Sequence, residues 1–500
     1  MYIHFVRTRA IQGSFAMKNV VIIGGGITGL ATAFYLRQYV HPTVQILLID
    51  AAPRLGGKIA SEHENGFVVE CGPDSFITQK TAALALCRDL GLSDQLIGSN
   101  SSAKTTYVWN REQLHSIPEG MMLMAPTMLA PFLRSRLISW PGKLRMGMEM
   151  FLPARRDPSD ESLASFVRRR LGKEALEKIA GPLMAGIFAA DPEKLSLQST
   201  FPMFLAMEKQ HGSLTRGILQ QKRAQDNASV HPGPKPLPPS MFMTLRGGLQ
   251  QLVDALVQRL HRETILLNRG VRGVVRDRNR YKIELSDGSP LWADEVVFAT
   301  PADVTAKLLW DLDPVLAMKL RAIRYVSTAT VSLGFSRRDI HLPLNGSGFL
   351  VPHSQNRRIT ACSWSSKKFD HRAPDDCELI RVFVGGARAE ALAEQDDAAL
   401  VDLARQELRA ILGITAAPIL AKAYRWPKAN PQYDVGHPTR MDEIDQIVAW
   451  HHGLHLAGAA YRGAGIPDCI QSGMKAALAI AKNLAKSDVT YKEARVSVSV

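Results

Sequence analysis

The chain has 500 residues, 46% hydrophobic and 22% charged, so a sizeable core and more than one domain are expected and disorder is excluded. Lys and Arg number 61 against 47 Asp and Glu, and the formal charge of +14 favours acidic partners: nucleic acid, anionic lipid or a substrate with several carboxylates. The five cysteines (Cys71, Cys87, Cys362, Cys377, Cys469) are scattered without a C-x-x-C pair, which excludes a disulfide framework and a zinc module and suits a reducing compartment.

No stretch reaches the ~20 unbroken apolar residues of a spanning helix. Residues 1–17 carry Arg7 and Arg9 without the apolar run of a secretory signal. Asn19 to Ile23 is a β-branched run feeding Gly24-Gly25-Gly26-Ile27-Thr28-Gly29, and a helical pattern follows to Tyr39. Thr43 to Ile49 reads as a second strand, closed by Asp50. This order predicts a βαβ unit. Glycines 24, 26 and 29 fit G-x-G-x-x-G: a tight turn, a backbone that approaches a pyrophosphate, and close helix–strand packing at a helix N-terminus. Asp50 stands roughly 20 residues on, where an acid accepts from a ribose hydroxyl. A bound dinucleotide is therefore expected.

Further along, Asp160 to Ile218 has a helical pattern, broken at Pro182 and Pro192. His231 to Ser240 is too rich in proline for an element interior and reads as a surface connection. A helix is expected over Arg246 to Leu260, then strands over Ile265 to Val275, Tyr281 to Leu285 and Glu295 to Ala299. Tyr325 to Val384 returns to strands. Leu454 to Ala460 reads as a strand that passes through a glycine-rich turn into a helix over Ile470 to Leu484. The cofactor-binding sequence is thus split along the chain.

Two segments bear on which dinucleotide is bound. Pro53-Arg54-Leu55-Gly56-Gly57-Lys58 follows the acid and suits a diphosphate or ribityl chain. Leu456 to Ile470 places small residues before a helix N-terminus, which suits a flavin ring and its reduced anionic form. The Arg-x-Gly-Gly and the C-terminal segment resemble the flavin amine oxidase superfamily. Within it, the chain resembles the oxygen-dependent porphyrinogen oxidases of haem synthesis, over about Lys18 to Leu484. Gly181 to Ser196, Ser199-Thr200-Phe201-Pro202 and Ile466-Pro467-Asp468-Cys469-Ile470 carry that likeness most specifically. Arg425-Trp426, Pro431-Gln432-Tyr433 and Gly436-His437 add to it.

The resemblance implies an α/β fold, α+β overall: a split Rossmann-type FAD-binding domain (18–90, 240–300, 450–488), a mixed-sheet substrate domain (91–114, 301–449) and a helical insert (115–222), with a proline-rich connection at 223–239. It implies non-covalent FAD against Gly24, Gly25, Gly26, Ile27, Thr28, Gly29, Asp50, Ala51, Arg54, Gly57, Lys58, Gly72, Pro73, Asp74, Ser75, Val271, Ala459, Ala464, Gly465 and Ile466. Gly186 matches a glycine whose carbonyl lies near the reacting carbon; the alternative is a helix kink beside Pro182. The implied reaction oxidises a porphyrinogen to the porphyrin with O2. The likeness of Gly346 to Phe349, Thr360 to Trp364 and Lys367-Lys368 to the Gram-positive branch favours coproporphyrinogen III over protoporphyrinogen IX. Thr105-Thr106 and Ser347 depart from the arginine and phenylalanine that other members use on substrate.

Lys58, Lys367, Lys368 and Arg462 are candidate propionate contacts, each otherwise a surface charge. His451, His452 and His455 lack the H-E-x-x-H geometry, and no metal site is expected. No Gly-x-Ser-x-Gly elbow and no P-loop occur. Residues 121–156 hold seven methionines and six Lys/Arg, which suits either a peripheral face on a membrane or a core helix pair. The remaining expectations are a cytoplasmic monomer or homodimer that binds no nucleic acid. Rival readings are an amine oxidase, a carotenoid desaturase and a non-enzymatic FAD-binding protein; Ala459-Ala460-Tyr461-Arg462 lacks the Trp-x-x-Tyr of the first.

Overall fold

A computed structural model describes residues 18–497 apart from 104, 123–124, 127, 221–239, 261–264 and 343–345. The expectations for residues 1–17 and for the connection at 223–239 lie outside the described residues. Strand β1 (Asn19–Ile23) is the middle of a five-stranded parallel sheet. Its order is Ile265–Leu266, β2 (Gln45–Ile49), β1, Glu295–Phe298 and Leu454–Leu456. Both faces of β1 are covered: Val20 and Ile22 enter one core cluster, Val21 and Ile23 another. That is why the strand reads as a continuous apolar run instead of an alternation. Helix α1 (Ile27–Tyr39) packs on the first face beside the C-terminal helix Ile466–Ser497.

A seven-stranded mixed sheet forms the second unit. Its order is Leu420–Pro431, Tyr325–Ser336, Cys377–Gly385, Ala361–Trp364, Gly348–Leu350, Thr106–Asn110 and Gln113–Ser116. Gly348–Leu350 pairs in parallel with Thr106–Asn110, whereas the other pairings are antiparallel. Helix Asp397–Leu412 covers one face through Leu400, Leu403 and Leu408. A helical insert packs its own core around Phe166, Leu197 and Phe204. The architecture is α/β with a split Rossmann-type sheet, a mixed sheet and a helical insert, as the sequence led us to expect.

Several boundaries differ from the sequence reading. The single strand expected over Ile265 to Val275 is two, Ile265–Leu266 and Val271–Asp277, separated where Asn268 turns left-handed at φ 55°. The first half joins the parallel sheet, and the second starts an antiparallel one. The helix expected from Arg246 begins at Gln250, because Phe242–Leu245 is a strand and Gly248 takes φ 91°. The strand expected to reach Ala460 ends at Leu456, and the helix after it starts at Ile466. Pro182 does not break its helix. A widened, π-type turn over Leu176–Ala180 leads directly into Gly181–Phe188, and this local widening accommodates the proline, which lacks the N–H of a regular helical residue.

Candidate cofactor and substrate site

The turn after β1 is shaped by packing at two glycines and left open at a third. Gly24 has φ 108°, and a Cβ there would stand 2.8 Å from the Ala299 carbonyl oxygen. A Cβ on Gly29 would collide with the Gly24 carbonyl oxygen. At Gly26, by contrast, a Cβ would meet nothing within 4 Å. No side chain caps α1 at Gly26, and its first turn holds no acid, so the leading N–H groups face open space beside Gly26. An uncapped helix N-terminus with an open glycine suits a diphosphate. Ile27 and Thr28 are buried behind it.

Asp50 is tied into this turn: its carboxylate accepts from the Gly25 N–H (2.6 Å) and the Ala52 N–H (2.8 Å). Each oxygen keeps a lone pair for a ribose hydroxyl. Ala51 is exposed beside it, and the Arg269 N–H donates to the Asp50 carbonyl (3.1 Å), which brings the start of the strand at Val271 alongside. The next loop folds back over the glycines. Gly56 N–H donates to the Gly25 carbonyl (2.9 Å), and a Cβ on Gly57 would lie 3.2 Å from Gly26 Cα.

Arg54 does not reach outward. Its guanidinium donates to the carbonyls of Leu55 (3.1 Å), Ile59 (3.1 Å) and Gly57 (2.7 Å), so its first task is to hold the loop that carries Gly56 and Gly57. Lys58 points inward and donates to the Ala429 carbonyl. Burial pulls this ammonium below the usual lysine range, although Cys469 and Asp303 oppose the shift. Two of its three N–H donors are left for a ligand.

The turn Gly72-Pro73-Asp74-Ser75 sits against Lys58, since a Cβ on Gly72 would strike the Lys58 carbonyl. Burial alone would push the Asp74 carboxyl up. Lys368 (2.9 Å), the Arg381 guanidinium and Ser75 (2.6 Å) instead hold it far below the usual carboxylate range. Arg381 also donates to the Gly72 carbonyl, and Trp426 donates to Cys71 O (2.8 Å). Sequence reasoning missed Arg381. Its signal was a lone cation in the otherwise apolar run Leu379-Ile380-Arg381-Val382-Phe383.

The small-residue segment closes the line. Gly458 has φ 131° and its open side faces Thr28 Oγ1 at 3.8 Å, so this turn lies against α1. Ala459 is half-buried, Ala464 and Gly465 are exposed, and Ile466 is buried at the head of its helix. The structure thus brings the glycine turn, Asp50, the Gly57–Lys58 loop, Gly72–Ser75 and the C-terminal segment into one continuous strip. Burial pushes the Cys469 thiol beside it up to about 11, so no thiolate nucleophile stands there.

Gly186 lies inside helix Gly181–Phe188 and is exposed; a Cβ there would meet only Leu350 Cδ2, at 3.2 Å. The helix therefore faces Gly348–Leu350 of the mixed sheet, with room at the glycine. On that sheet, the two departures from the family pattern touch: Thr106 Oγ1 and Ser347 Oγ are 3.2 Å apart.

The other cations do not gather. Lys368 is paired with Asp74, Arg462 with Asp445 and Asp442, and Lys367 makes a long 3.5 Å contact to the Leu342 carbonyl. The histidines also separate: His451 meets Asp313 (2.8 Å) and His455 meets Glu295 (2.6 Å). Among the described residues, no group of three His, Cys, Asp or Glu is placed to hold a metal ion.

With that geometry in place, the chain can be set beside known proteins. The family described as flavin containing amine oxidoreductase matches residues 27–481. The chain is 36% identical to the coproporphyrinogen III oxidase of Bacillus subtilis (strain 168) over 463 residues, 92% of this chain and 97% of that one. It is 32% identical to the protoporphyrinogen oxidase of Macaca fascicularis, over 93% of this chain and 98% of the relative. A crystal structure from Exiguobacterium sp. 255-15, described as a protoporphyrinogen oxidase, superposes with a TM-score of 0.82 at 32% identity, covering 93% of this chain and 99% of the other.

Proposed function

We propose, from the premise that this chain belongs to the flavin-containing amine oxidoreductases, that it oxidises a porphyrinogen to the porphyrin, with coproporphyrinogen III the favoured substrate. The cofactor is FAD, and the strip of residues described above is our assignment of its seat: Gly24–Gly29, Asp50, Ala51, Gly57, Lys58, Gly72–Ser75, Val271, Ala459 and Ala464–Ile466, with Arg54 holding the loop. The observation that carries the substrate reading is full-length similarity to the coproporphyrinogen III oxidases.

The overall reaction balances as porphyrinogen plus three O2 giving porphyrin plus three H2O2, six electrons and six hydrogens removed in pairs. When bound, FAD would supply two-electron redox chemistry between the porphyrinogen and O2. This chain's residues supply position. Gly186 is exposed and without a side chain, so its backbone is open to a broad macrocycle, and Leu350 packs beside it as apolar surface. Orientation of the macrocycle against the flavin is then the protein's larger contribution.

In this reading residues 18–90, 240–300 and 450–488 hold the cofactor, and 91–114 with 301–449 hold the substrate under the insert at 115–222. Anaerobic mixing tests it: coproporphyrinogen III should bleach the flavin absorbance faster than protoporphyrinogen IX does. The reverse order would move the assignment to protoporphyrinogen IX, and no bleaching by either would end the porphyrinogen reading.

The insert supports a second element of the proposal, peripheral contact with a membrane. Phe132, Leu137, Ile138 and Met146 of the Met-rich stretch enter the core. Leu129 (70% exposed), Trp140 (64%), Leu144 (71%) and Phe151 (81%) do not. Of the six basic residues, Lys143, Arg145 and Arg155 are spent on hydrogen bonds within the chain, while Arg134, Arg136 and Arg156 are exposed. Among the described residues no helix is long and apolar enough to cross a membrane. Apolar side chains with flanking arginines suit an anionic interface. The protein should co-sediment with phosphatidylglycerol vesicles, and Leu144→Asp with Phe151→Asp should release it; a wild-type protein that stays in the supernatant would remove this element.

A further inference from the structure

The segment between strand Leu420–Pro431 and helix His437–Val448, with the first residue of that helix, buries three polar side chains near the site. Gln432 is 2% exposed, Tyr433 3% and His437 1%. Its hydrogen bonds run in two directions. Toward the insert, Gln432 Nε2 donates to the Phe188 carbonyl (3.2 Å), at the end of the helix that carries Gly186. The Ser196 N–H donates to the Tyr433 carbonyl (2.7 Å), and the Val435 N–H donates to the Lys194 carbonyl (2.8 Å). Toward the cofactor strip, the Tyr433 hydroxyl donates to the Ala459 carbonyl (2.5 Å) and His437 Nε2 donates to the Tyr461 carbonyl (2.8 Å).

We propose that Gln432, Tyr433 and His437 form a bracket that fixes the spacing between the Gly186 helix and the Ala459–Tyr461 turn, and are positioning residues for the reaction. The proposal rests on the reading in which those two elements flank substrate and flavin. The Phe188 carbonyl ends its helix where Ala189 turns left-handed at φ 52°, so the helix itself leaves that carbonyl short of donors and Gln432 provides one. The two rings stack at 4.5 Å with 27° between planes, which fixes Tyr433 and His437 as one unit.

A carbonyl only accepts, so His437 carries its proton on Nε2. Nδ1 is buried without a partner, and burial holds the imidazole below its usual range, so the ring stays neutral. Each member therefore reaches a backbone carbonyl on an element that touches a reactant. Loss of one bond leaves a buried carbonyl to relax, and a displacement near 1 Å between reacting groups costs about 10²-fold in rate.

The test uses holoenzyme variants Gln432→Met and Tyr433→Phe. Anaerobic stopped flow with coproporphyrinogen III measures flavin reduction; dithionite-reduced enzyme mixed with O2 measures reoxidation; titration of apoprotein measures FAD Kd. Gln432→Met should slow reduction about tenfold or more while reoxidation and the melting midpoint stay near wild type. Tyr433→Phe, which frees the Ala459 carbonyl, should raise FAD Kd about tenfold. Both half-reactions slowed alike, or reduction within about twofold of wild type together with an unchanged Kd, would make the segment scaffold only. If Gln432→Met does not fold, Gln432→Asn keeps the amide one methylene short and should give the same split. The Kd measurement needs no porphyrinogen. It therefore decides for the bracket even if wild-type flavin is not reduced by the substrate, a result that would count against the proposed function instead.

Discussion

At Gly29 the tolerance of the fold is set by a single hydrogen. A side chain there would meet the Gly24 carbonyl oxygen, and its Cβ would stand 3.3 Å from Leu48 Cδ1. Gly29→Val should prevent α1 from seating on β1, so the flavin-to-protein absorbance ratio of the purified protein should fall below about a tenth of wild type. An unchanged ratio would take the turn out of the cofactor site. Glu70 offers a second test at this scale. Burial pushes its carboxyl up to about 7, against the Ser61 hydroxyl (2.6 Å), Arg372 (3.6 Å) and the Leu249 N–H (2.9 Å). Between about pH 4.5 and 7 the folded chain holds a proton that the unfolded chain has released, so this group's stabilisation is lost as pH rises through that window. Glu70→Gln should therefore flatten the pH dependence of unfolding and add on the order of 3 kcal/mol at pH 8 relative to pH 4. Denaturant melts at the two pH values check it, and an unaltered slope would count against a raised carboxyl.

The elements were legible where one local rule decides them. β1, α1 and β2 follow from a β-branched run, a glycine turn and a helical pattern, and each appears within a residue or two of its expected bounds. Elements were misjudged where a distant partner decides. Ile265 to Val275 is expected as one strand, yet its apolar ends serve two sheets because the Asn268 and Arg269 N–H groups bond back to Ala52 and Asp50. Pro182 predicts a break, but the widened turn at Leu176–Ala180 accommodates it. The glycine turn after β1 is readable from its spacing, whereas the bonds from Arg381 to Gly72, from Gln432 to Phe188 and from Ser196 to Tyr433 join residues hundreds of positions apart. The Gly186 helix can be tested by itself. Gly186→Val adds methyl groups facing Leu350 and the open space beside it. Turnover of porphyrinogen should fall about 10²-fold while flavin content and melting midpoint hold. Loss of flavin, or full activity, would leave Gly186 as a helix residue with no part in the pose.

On the scale of the whole molecule, the proposed cofactor seat is assembled from pieces that are far apart in sequence. The parallel sheet takes strands from residues 19–49, 265–298 and 454–456, and two core clusters span all three. FAD in the proposed strip would touch residues from each, and would then act as a ligand of the assembled sheet and not of any one piece. A ligand that binds only the folded state adds about 4 kcal/mol when present at a thousand times its Kd. Stripping FAD should therefore lower the melting midpoint of the whole protein by several degrees, and added FAD should restore it in proportion to the logarithm of its concentration. The Gln432–His437 segment ties the insert and the mixed sheet to the same strip. The shift should consequently be seen alike by far-ultraviolet dichroism, which reports every helix, and by tryptophan fluorescence, which includes Trp109 and Trp364 in the mixed sheet. A midpoint that falls in one signal and holds in the other would mean that the cofactor-binding sheet unfolds independently, and that the bracket does not couple the units.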